Sequence, residues 1–243
     1  MRIWEGCTVT ILLETNNIHT YIEQYHILQG VTFQAKKGEV SVLLGRNGAG
    51  KTTTLRTIMG LNPASQGQII YKGEDITKKA TYEIANMRIG YVPEDQSIFA
   101  GLTVEENMRV AMRKEDDATL ERQEYLLQLF PDLKKYWKKD GGYLSGGQKQ
   151  MLAMARAFVN EAELLLIDEP SKGLAPIVVE KVMEAMNEMK KDTTIILVEQ
   201  NFLMASQIGD TYTLIDEGKT VASGLMTELI QDDELQHKYL GIG

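Results

Sequence analysis

The sequence has few of the residues that crosslink extracellular domains or bind metal ions in clusters. Its 243 residues include a single cysteine, Cys7, so no disulfide can form within the chain, and a reducing compartment is expected. The three histidines do not have the spacing of a metal-binding pair, and each is interpreted as a surface or packing residue. A disulfide scaffold and a cysteine–histidine metal centre are therefore excluded.

Long apolar segments and an excess of positive charge are also lacking. No apolar run approaches the roughly 18 residues that span a bilayer, and no signal peptide is recognisable, so a soluble, cytoplasmic chain is predicted. Lys and Arg total 26 against 34 Asp and Glu, which gives a formal net charge of −8. Because nucleic acids are bound by clustered Lys and Arg, this balance predicts that no nucleic acid is a partner.

The composition is otherwise ordinary for a globular protein, with 43% hydrophobic and 25% charged residues. Short apolar segments bounded by glycine predict strands at 27–35, 39–45 and 67–73. The pattern is helical from 104 to 130, with a break at Leu-Phe-Pro-Asp-Leu, and again from 145 to 158.

The second half of the chain alternates strands and helices. Residues 163–168 and 193–199 are short apolar runs that predict buried strands, and a helix predicted at 176–191 separates them. Such alternation indicates a parallel sheet covered by helices on both faces. A final hairpin is predicted to turn at 216–219. The fold class is accordingly predicted to be α/β.

A phosphate-binding loop is predicted at residues 45–52, Gly-Arg-Asn-Gly-Ala-Gly-Lys-Thr. The segment matches the pattern G-x-x-x-x-G-K-[ST] and lies between a predicted strand and a predicted helix. Glycines allow successive backbone N–H groups to face phosphates, and the helix N-terminus adds partial positive charge. Lys51 is expected to neutralise the outer phosphates, and the Thr52 hydroxyl is expected to bind Mg²⁺. The loop therefore predicts a nucleoside triphosphate site.

Two carboxylates follow the strand predicted at 163–168. Asp168 lies at the carboxyl end of that strand, where open α/β sheets bind ligands, and is expected to bind Mg²⁺. Adjacent residues of a strand point to opposite faces, so the Glu169 side chain points away from that of Asp168. Glu169 is expected to polarise the water that attacks the terminal phosphate. The pair predicts hydrolysis of the bound triphosphate.

A second phosphate-binding segment is predicted at residues 144–148, Leu-Ser-Gly-Gly-Gln. Ser145, Gly146 and Gly147 offer hydroxyl and backbone donors at a helix start. A glycine turn capped by serine is the alternative interpretation of Ser-Gly-Gly alone. Because one nucleotide cannot contact both segments of one chain if they lie apart, a head-to-tail dimer that shares each ATP is predicted.

These motifs resemble those of the ATP-binding subunits of ABC transporters, and the resemblance extends over nearly the whole chain from about Leu12. The phosphate loop resembles the family's Walker A motif, 144–148 its signature, 164–169 its Walker B motif and 171–176 its D-loop. The resemblance implies the P-loop ABC ATPase fold, with a parallel core sheet, an N-terminal antiparallel β subdomain and a helical subdomain at about 96–147.

The resemblance also implies the domain limits, with a single ABC ATP-binding domain at 12–243. Residues 1–11 are expected to be a disordered or start-site extension. Val9 is the alternative start to Met1, because Trp4-Glu5-Gly6 must be encoded by a purine-rich stretch that resembles a bacterial ribosome-binding sequence.

The resemblance implies a role for each motif residue. The residues expected to bind ATP are Gly45, Arg46, Asn47, Gly48, Ala49, Gly50, Lys51, Thr52 and Thr53. The signature residues expected to contact the ATP of the partner subunit are Ser145, Gly146, Gly147 and Gln148. The residues expected to bind Mg²⁺, the cofactor that accompanies ATP, are Thr52, Asp168 and Glu94.

Two positions depart from the common family pattern. Most members carry a histidine that contacts the γ-phosphate where this chain has Gln200, so Glu169 and Gln200 are the expected catalytic residues. Most members also carry glutamine in place of Glu94. Both departures, with Gly-Leu-Ala-Pro in the D-loop and Tyr-Leu-Gly at 239–241, resemble the branched-chain amino acid importers. Urea and short-chain amide importers share much of this pattern.

The adenine contact is another departure. The family stacks adenine on an aromatic residue upstream of Walker A, often the second residue of a Tyr-Tyr pair, and here the pair reads Tyr21-Ile22. The ring must therefore come from Tyr21 or Tyr25, or adenine rests on an aliphatic surface. Tyr21 is the expected contact.

The implied function is that of an ATP-hydrolysing importer subunit, for branched-chain amino acids or else for urea or short-chain amides. The implied partners are a second copy or a related ATP-binding subunit, two integral-membrane permease subunits and an extracytoplasmic substrate-binding protein. The chain would then lie at the cytoplasmic face of the membrane. A soluble ABC ATPase usually has two cassettes or a long coiled-coil insertion, neither of which is present, and the signature argues against a small-molecule kinase.

Overall fold

Two β-sheets and a set of helices make up the part of the chain that the computed structural model describes, residues 10–241. The strands are β1 (Ile11–Ile22), β2 (Tyr25–Lys36), β3 (Val40–Leu44), β4 (Ala64–Tyr71), β5 (Glu74–Asp75), β6 (Ile89–Val92), β7 (Leu164–Asp168), β8 (Thr194–Val198), β9 (Thr211–Asp216) and β10 (Lys219–Leu225). The α-helices are α1 (Lys51–Ile58), α2 (Thr81–Asn86), α3 (Val104–Ala111), α4 (Asp117–Leu129), α5 (Pro131–Lys135), α6 (Gly146–Phe158), α7 (Pro176–Met189), α8 (Phe202–Ile208), α9 (Met226–Leu229) and α10 (Asp233–Leu235). Single turns of 3₁₀-helix and π-helix occupy Gly141–Tyr143 and Gln236–Leu240.

The larger sheet has its six strands in the order β10-β9-β3-β8-β7-β6. The strands from β9 to β6 run parallel, whereas β10 pairs with β9 in the antiparallel hairpin that the sequence predicts. The parallel core sheet is therefore confirmed, together with its predicted strands β3, β7 and β8. The edge strand β6 is an addition that the sequence pattern did not predict.

Alternate residues of the central strands face opposite sides of this sheet. Val40, Val42 and Leu44 of β3 pack in a core cluster with residues of α6 and α7. Leu43 packs instead in a second cluster, with residues of α1 and of the antiparallel sheet. The strands β7 and β8 divide in the same way, so both faces of the sheet are covered, as the apolar runs predict.

The smaller sheet is antiparallel, in the order β2-β1-β4-β5, and it confirms the expected N-terminal β subdomain. Its long strand β1 is irregular, because Asn17 has a φ of 50° and the pairing with β2 shifts between Thr15 and Ile18. Thr220 joins this sheet to the central one. Its hydroxyl accepts from the Thr32 N–H at 3.0 Å and donates to the Thr32 carbonyl at 2.8 Å.

The region predicted to be helical from 104 to 130 is divided between α3 and α4. Met112 ends α3 in an extended conformation, with a ψ of 134°. Asp116 then begins α4, since its side chain accepts from the Thr119 N–H. Pro131 is the first residue of α5, so the predicted break lies between α4 and α5.

The predicted extension lies mostly outside the described residues, which begin at residue 10. Strand β1 begins at Ile11, one residue before the predicted domain limit. Among residues 10–241, no helix has both the length and the apolar character needed to cross a membrane.

Candidate nucleotide-binding site

The predicted phosphate loop and carboxylates lie at one edge of the central sheet. Gly45 follows β3, Asp168 is the last residue of β7, and Glu199 follows β8. The register of the parallel strands pairs Leu43 with Val198 and Val198 with Asp168, so the three strand ends are level. Because parallel strands present their carboxyl ends together, the three segments converge on one site.

The phosphate loop requires glycine at its two ends. Gly45 has a φ of 152°, and a Cβ there would lie 2.1 Å from the carbonyl oxygen of Ile215. Gly50 has a φ of 108°, and its Cβ would lie 2.8 Å from Cδ2 of Leu28. Helix α1 begins immediately afterwards at Lys51. The curled loop and the helix N-terminus thus form the anion-binding arrangement that the motif predicts.

Lys51 lies against this loop and is only 4% exposed. Its Nζ donates to the carbonyl oxygens of Gly45 at 2.9 Å and Arg46 at 3.1 Å. The same Nζ lies 3.7 Å from Oε1 of Glu169. Burial lowers the pKa of the Lys51 ammonium, whereas the negative charges of Glu169 and Asp168 raise it. A buried cation therefore lies at the predicted phosphate position.

The Thr52 hydroxyl and the Asp168 carboxylate, both expected to bind Mg²⁺, are in contact. Thr52 Oγ1 donates to Asp168 Oδ1 at 3.0 Å. Burial raises the pKa of Asp168 to about 6, and its Oδ2 is buried without a hydrogen-bond partner. Hard oxygen ligands of this kind suit Mg²⁺, which usually takes its other ligands from water and substrate phosphates. Within residues 10–241 no cluster of three or more Asp, Glu, His or Cys could hold a metal ion alone.

Glu169 leaves the strand in a left-handed conformation, with a φ of 44°. Its backbone N–H donates to the carbonyl of Val198 at 2.9 Å, which fixes it beside β8. Its Oε2 lies 3.7 Å from Nζ of Lys172. Lys172 also forms an ion pair with Glu94, which is therefore held by a D-loop lysine in this structure.

A cavity of about 310 Å³ opens above the phosphate loop. Its lining residues are Ile22, Ile27, Asn47, Gly48, Gly50, Lys51, Thr52, Thr53, Glu94, Glu169 and Lys172. Of the other residues expected to bind ATP, Ala49 is buried, and the Arg46 guanidinium donates to the carbonyl of Lys238 at 3.1 Å. Most of the predicted nucleotide-binding residues are thus brought together.

The aliphatic residues Ile22 and Ile27 line the cavity where the sequence analysis expected an aromatic contact. The ring of Tyr21 stacks on His26 instead, with centroids 4.3 Å apart and ring planes at 7°. Tyr21 is not among the lining residues. The arrangement favours the aliphatic surface, the alternative that the sequence left open, over Tyr21.

The signature residues lie elsewhere in the described chain, since none of residues 144–148 lines the cavity. The Ser145 hydroxyl accepts from the Gln148 N–H at 3.3 Å, and the Gln148 side chain accepts from the Ser145 N–H at 2.9 Å. Serine therefore caps α6, as the alternative interpretation proposes. A Cβ on Gly147 would lie 2.4 Å from Cγ1 of Val178, so close packing against α7 requires glycine.

Gln200 is exposed and does not line the cavity in the single chain. Its neighbour Glu199 is 2% exposed, and sequence reasoning assigned it no role. Its Oε1 accepts hydrogen bonds from the Ser171 hydroxyl and from the backbone N–H groups of Gln200 and Asn201. The available sequence signal was a carboxylate placed directly after an apolar strand.

The chain is similar to known ATP-binding proteins of transport systems. The sequence model described as ABC transporter matches residues 28–172. The high-affinity branched-chain amino acid transport ATP-binding protein BraG of Pseudomonas aeruginosa is 36% identical over 233 residues, which cover 95% of this chain and 100% of that protein. The lipopolysaccharide export system ATP-binding protein LptB of Haemophilus influenzae is 29% identical, over 95% of this chain and 97% of that protein. A solved ATP-binding subunit of an ABC transporter superposes with a TM-score of 0.81 at 29% identity, covering 95% of this chain and 96% of that one.

Proposed function

Because the chain belongs to the ABC transporter family, whose ATP-binding subunits hydrolyse ATP to power transport, we propose that it drives the import of branched-chain amino acids. The observation that carries the ATPase part is the single cavity shared by Lys51, Thr52 and Glu169, with Asp168 hydrogen-bonded to Thr52 behind it. A buried cation, a metal-binding pair and a carboxylate that can accept a proton are the groups that phosphoryl transfer to water requires.

Each of these groups has a distinct task in the proposed hydrolysis. Lys51 neutralises the outer phosphates from a buried position, where its charge acts strongly. Mg²⁺, held through Thr52 and Asp168, would supply further positive charge to the phosphate oxygens. Glu169 accepts the proton of the attacking water on its carboxylate. Gln200 orients that water or the γ-phosphate through its side-chain amide.

The nucleoside end of ATP is proposed to rest on Ile22 and Ile27. Both line the cavity, and Ile22 is 40% exposed, so its side chain is available to cover the purine. An aliphatic surface binds a planar base by apolar contact and dispersion. This proposal replaces the expected stacking on Tyr21.

The site is proposed to be completed by the signature of a second ATP-binding subunit, either another copy or a related chain. The cavity of one chain contains the phosphate loop but none of the signature residues. Ser145 and Gly146 stand at the start of the 13-residue helix α6, where N–H groups and a partial positive charge favour phosphate. A head-to-tail pair would bring this helix start to the ATP of its partner.

The proposal also names the direction of transport and the substrate, which are import and branched-chain amino acids. BraG, a relative that carries that description, is 36% identical to this chain, compared with 29% for the lipopolysaccharide export protein. Gln200 and Glu94, the two departures from the common family pattern, also favour this subfamily. The proposed partners are two integral-membrane permease subunits at the cytoplasmic face of the membrane and an extracytoplasmic substrate-binding protein.

Two measurements test this function. Affinity capture of the tagged chain from detergent-solubilised membranes should recover two integral-membrane proteins, and recovery of none would contradict the transporter assignment. Cells that carry only the Lys51→Ala variant should lose uptake of labelled leucine, isoleucine and valine. Loss of urea uptake with normal leucine uptake would favour the urea and amide alternative instead.

A further inference from the structure

Glu199 is a buried carboxylate that none of the proposed chemical steps uses. It follows β8 directly and is 2% exposed. Its Oε1 accepts from the Ser171 hydroxyl at 2.9 Å, the Gln200 N–H at 2.8 Å and the Asn201 N–H at 2.9 Å. One oxygen atom therefore organises three donors from two separate loops.

A carboxylate at this position requires a physical reason, because burying a charge is costly unless hydrogen bonds satisfy it. Burial raises the pKa of Glu199, and the hydrogen bonds from Asn201, Ser171 and Gln200 lower it. The second oxygen, Oε2, is buried without a hydrogen-bond partner among the described residues. The acceptor at Oε1 is therefore the feature that distinguishes glutamate from an aliphatic residue here.

The two loops that Glu199 joins are those that carry the proposed catalytic side chains. Ser171 lies in the D-loop, two residues after Glu169, and is 9% exposed. Gln200 and Asn201 belong to the segment between β8 and α8. Movement of either loop relative to the other would break a buried hydrogen bond. The donor would then be buried without an acceptor, which destabilises the moved arrangement.

Glu199 itself is not placed to touch ATP. It does not line the cavity above the phosphate loop, and its Oε1 already accepts three hydrogen bonds. Its charge raises the pKa of Lys51, and its hydrogen bonds act on the residues that it holds.

We propose that Glu199 is a positioning residue that fixes the backbone of Gln200 to Ser171 of the D-loop, and thereby sets Gln200 relative to Glu169. The inference rests on the proposed role of Gln200 in hydrolysis. The essential feature is the acceptor oxygen at Oε1, so an amide oxygen in the same place can replace it.

Two substitutions at Glu199 distinguish the contribution of its acceptor oxygen from that of its negative charge. Glu199→Leu removes the acceptor and should lower the turnover of ATP by about tenfold to a hundredfold, the scale of losing one or two hydrogen bonds. The KM for ATP should stay within about threefold, because the phosphate loop is intact. Glu199→Gln keeps an oxygen acceptor and should retain turnover within about threefold of wild type.

A double-mutant cycle with Gln200→Ala tests whether Glu199 acts through Gln200. Because misplacing Gln200 and removing its side chain abolish the same interaction, the turnover of the double variant should stay within about threefold of that of the slower single variant. Ser171→Ala, which removes a single donor, provides a milder cycle if Glu199→Leu folds poorly. Losses that multiply in both cycles would overturn the inference.

Asn107→Leu is the matched control for the cycle. Asn107 is also fully buried and also organises a loop, since its side chain accepts from the Phe99 N–H and donates to the carbonyls of Phe99, Leu102 and Thr103. Any loss of turnover that it causes should multiply with that of Gln200→Ala, because the two sites are independent. If Glu199→Leu only destabilised the fold, its loss of turnover would multiply with that of Gln200→Ala, as in the control. If Glu199 positions Gln200, the two losses should not multiply.

Amide hydrogen exchange gives a readout that does not depend on activity. The N–H groups of Gln200 and Asn201 should exchange faster in Glu199→Leu and remain protected in Glu199→Gln. Unchanged exchange in Glu199→Leu would overturn the inference.

If Gln200→Ala alone hydrolyses ATP at the wild-type rate, the proposed role of Gln200 fails and the inference falls with it. If Gln200→Ala is slow but Glu199→Leu is not, only the inference fails.

Discussion

The Nζ of Lys51 lies 3.7 Å from Oε1 of Glu169, and both side chains are almost completely buried. The other oxygen of Glu169 lies 3.7 Å from Nζ of the exposed Lys172. Glu169, the proposed general base, therefore lies between the ammonium groups of Lys51 and Lys172, beside the phosphate loop. Phosphates that bind to Lys51 would compete with Glu169 for that ammonium and release the carboxylate toward water.

Substitution of Lys51 by Ala tests the phosphate loop. The variant loses a buried positive charge at the outer phosphates, so ATP hydrolysis should fall by several orders of magnitude in a steady-state phosphate-release assay. Lys191→Ala is the matched control, because Lys191 is exposed and forms a local surface ion pair with Glu188. Wild-type turnover in Lys51→Ala would refute the assignment.

Removal of the Gln200 side chain tests its role in the reaction. Gln200→Ala should lower turnover by about tenfold to a thousandfold, the scale of losing one transition-state hydrogen bond, with nearly unchanged ATP affinity. Gln200→His should keep substantial activity and acquire a pH dependence between about pH 6 and 7, which glutamine cannot produce. If Gln200→Ala matches wild type in the purified complex, Gln200 is only a residue at the end of a strand.

The adenine contact is tested by comparing Ile22 with Tyr21. Ile22→Ala removes apolar surface from the cavity and should weaken ATP binding by roughly threefold to tenfold, measured by calorimetry. Tyr21→Ala should leave the affinity within about twofold, because Tyr21 stacks on His26 and does not line the cavity. The reverse order of effects would restore Tyr21 as the adenine contact.

The buried charge of Glu199 predicts a pH dependence of stability. Burial raises the pKa of Glu199 above its ordinary value of 4.5, so above that pH the folded state retains a proton that the unfolded state releases. The free energy of unfolding therefore falls as pH rises from about 4.5 through the folded pKa. Glu199→Gln lacks this loss, so its Tm relative to wild type should increase between pH 4.5 and 8.

Thermal denaturation across this range, with Glu188→Gln as a control at a half-exposed carboxylate, would check the sign. The control should follow wild type, because the side chain of Glu188 is 47% exposed and forms a surface ion pair with Lys191. A fall in the Tm of Glu199→Gln relative to that of wild type as pH rises would contradict the assigned direction.

The parts of the fold that the sequence predicted are those with local signals. The apolar runs of β7 and β8 are buried on both faces, and glycines with positive φ bound the phosphate loop, so pattern and structure agree. Strand β1 was not predicted from its own pattern, because the irregularity at Asn17 interrupts its alternation. The short edge strand β6 has four residues, which is too few for a clear periodicity.

The parts of the site that escaped prediction depend on contacts between distant segments. The bond between Ser171 and Glu199 spans 28 positions, and that between Arg46 and Lys238 spans 192. Ile22 lines the cavity and Tyr21 does not, although the two are adjacent in β1. Neighbouring strand residues point to opposite faces, and the sequence alone could not show which face meets the phosphate loop.

The measurement that most directly tests the shared ATP site is the mass of the Glu169→Gln variant by light scattering during gel filtration. Glutamine keeps the shape of Glu169 but cannot accept the proton, so Mg·ATP remains bound, and the loss of a like charge favours the closed pair. We predict twice the chain mass of 27.3 kDa with Mg·ATP and the single mass without nucleotide. The double variant with Ser145→Arg, which blocks the signature, should stay single at saturating Mg·ATP. A Glu169→Gln variant that remains at the single mass, or a double variant that pairs equally well, would contradict a site completed by a second signature.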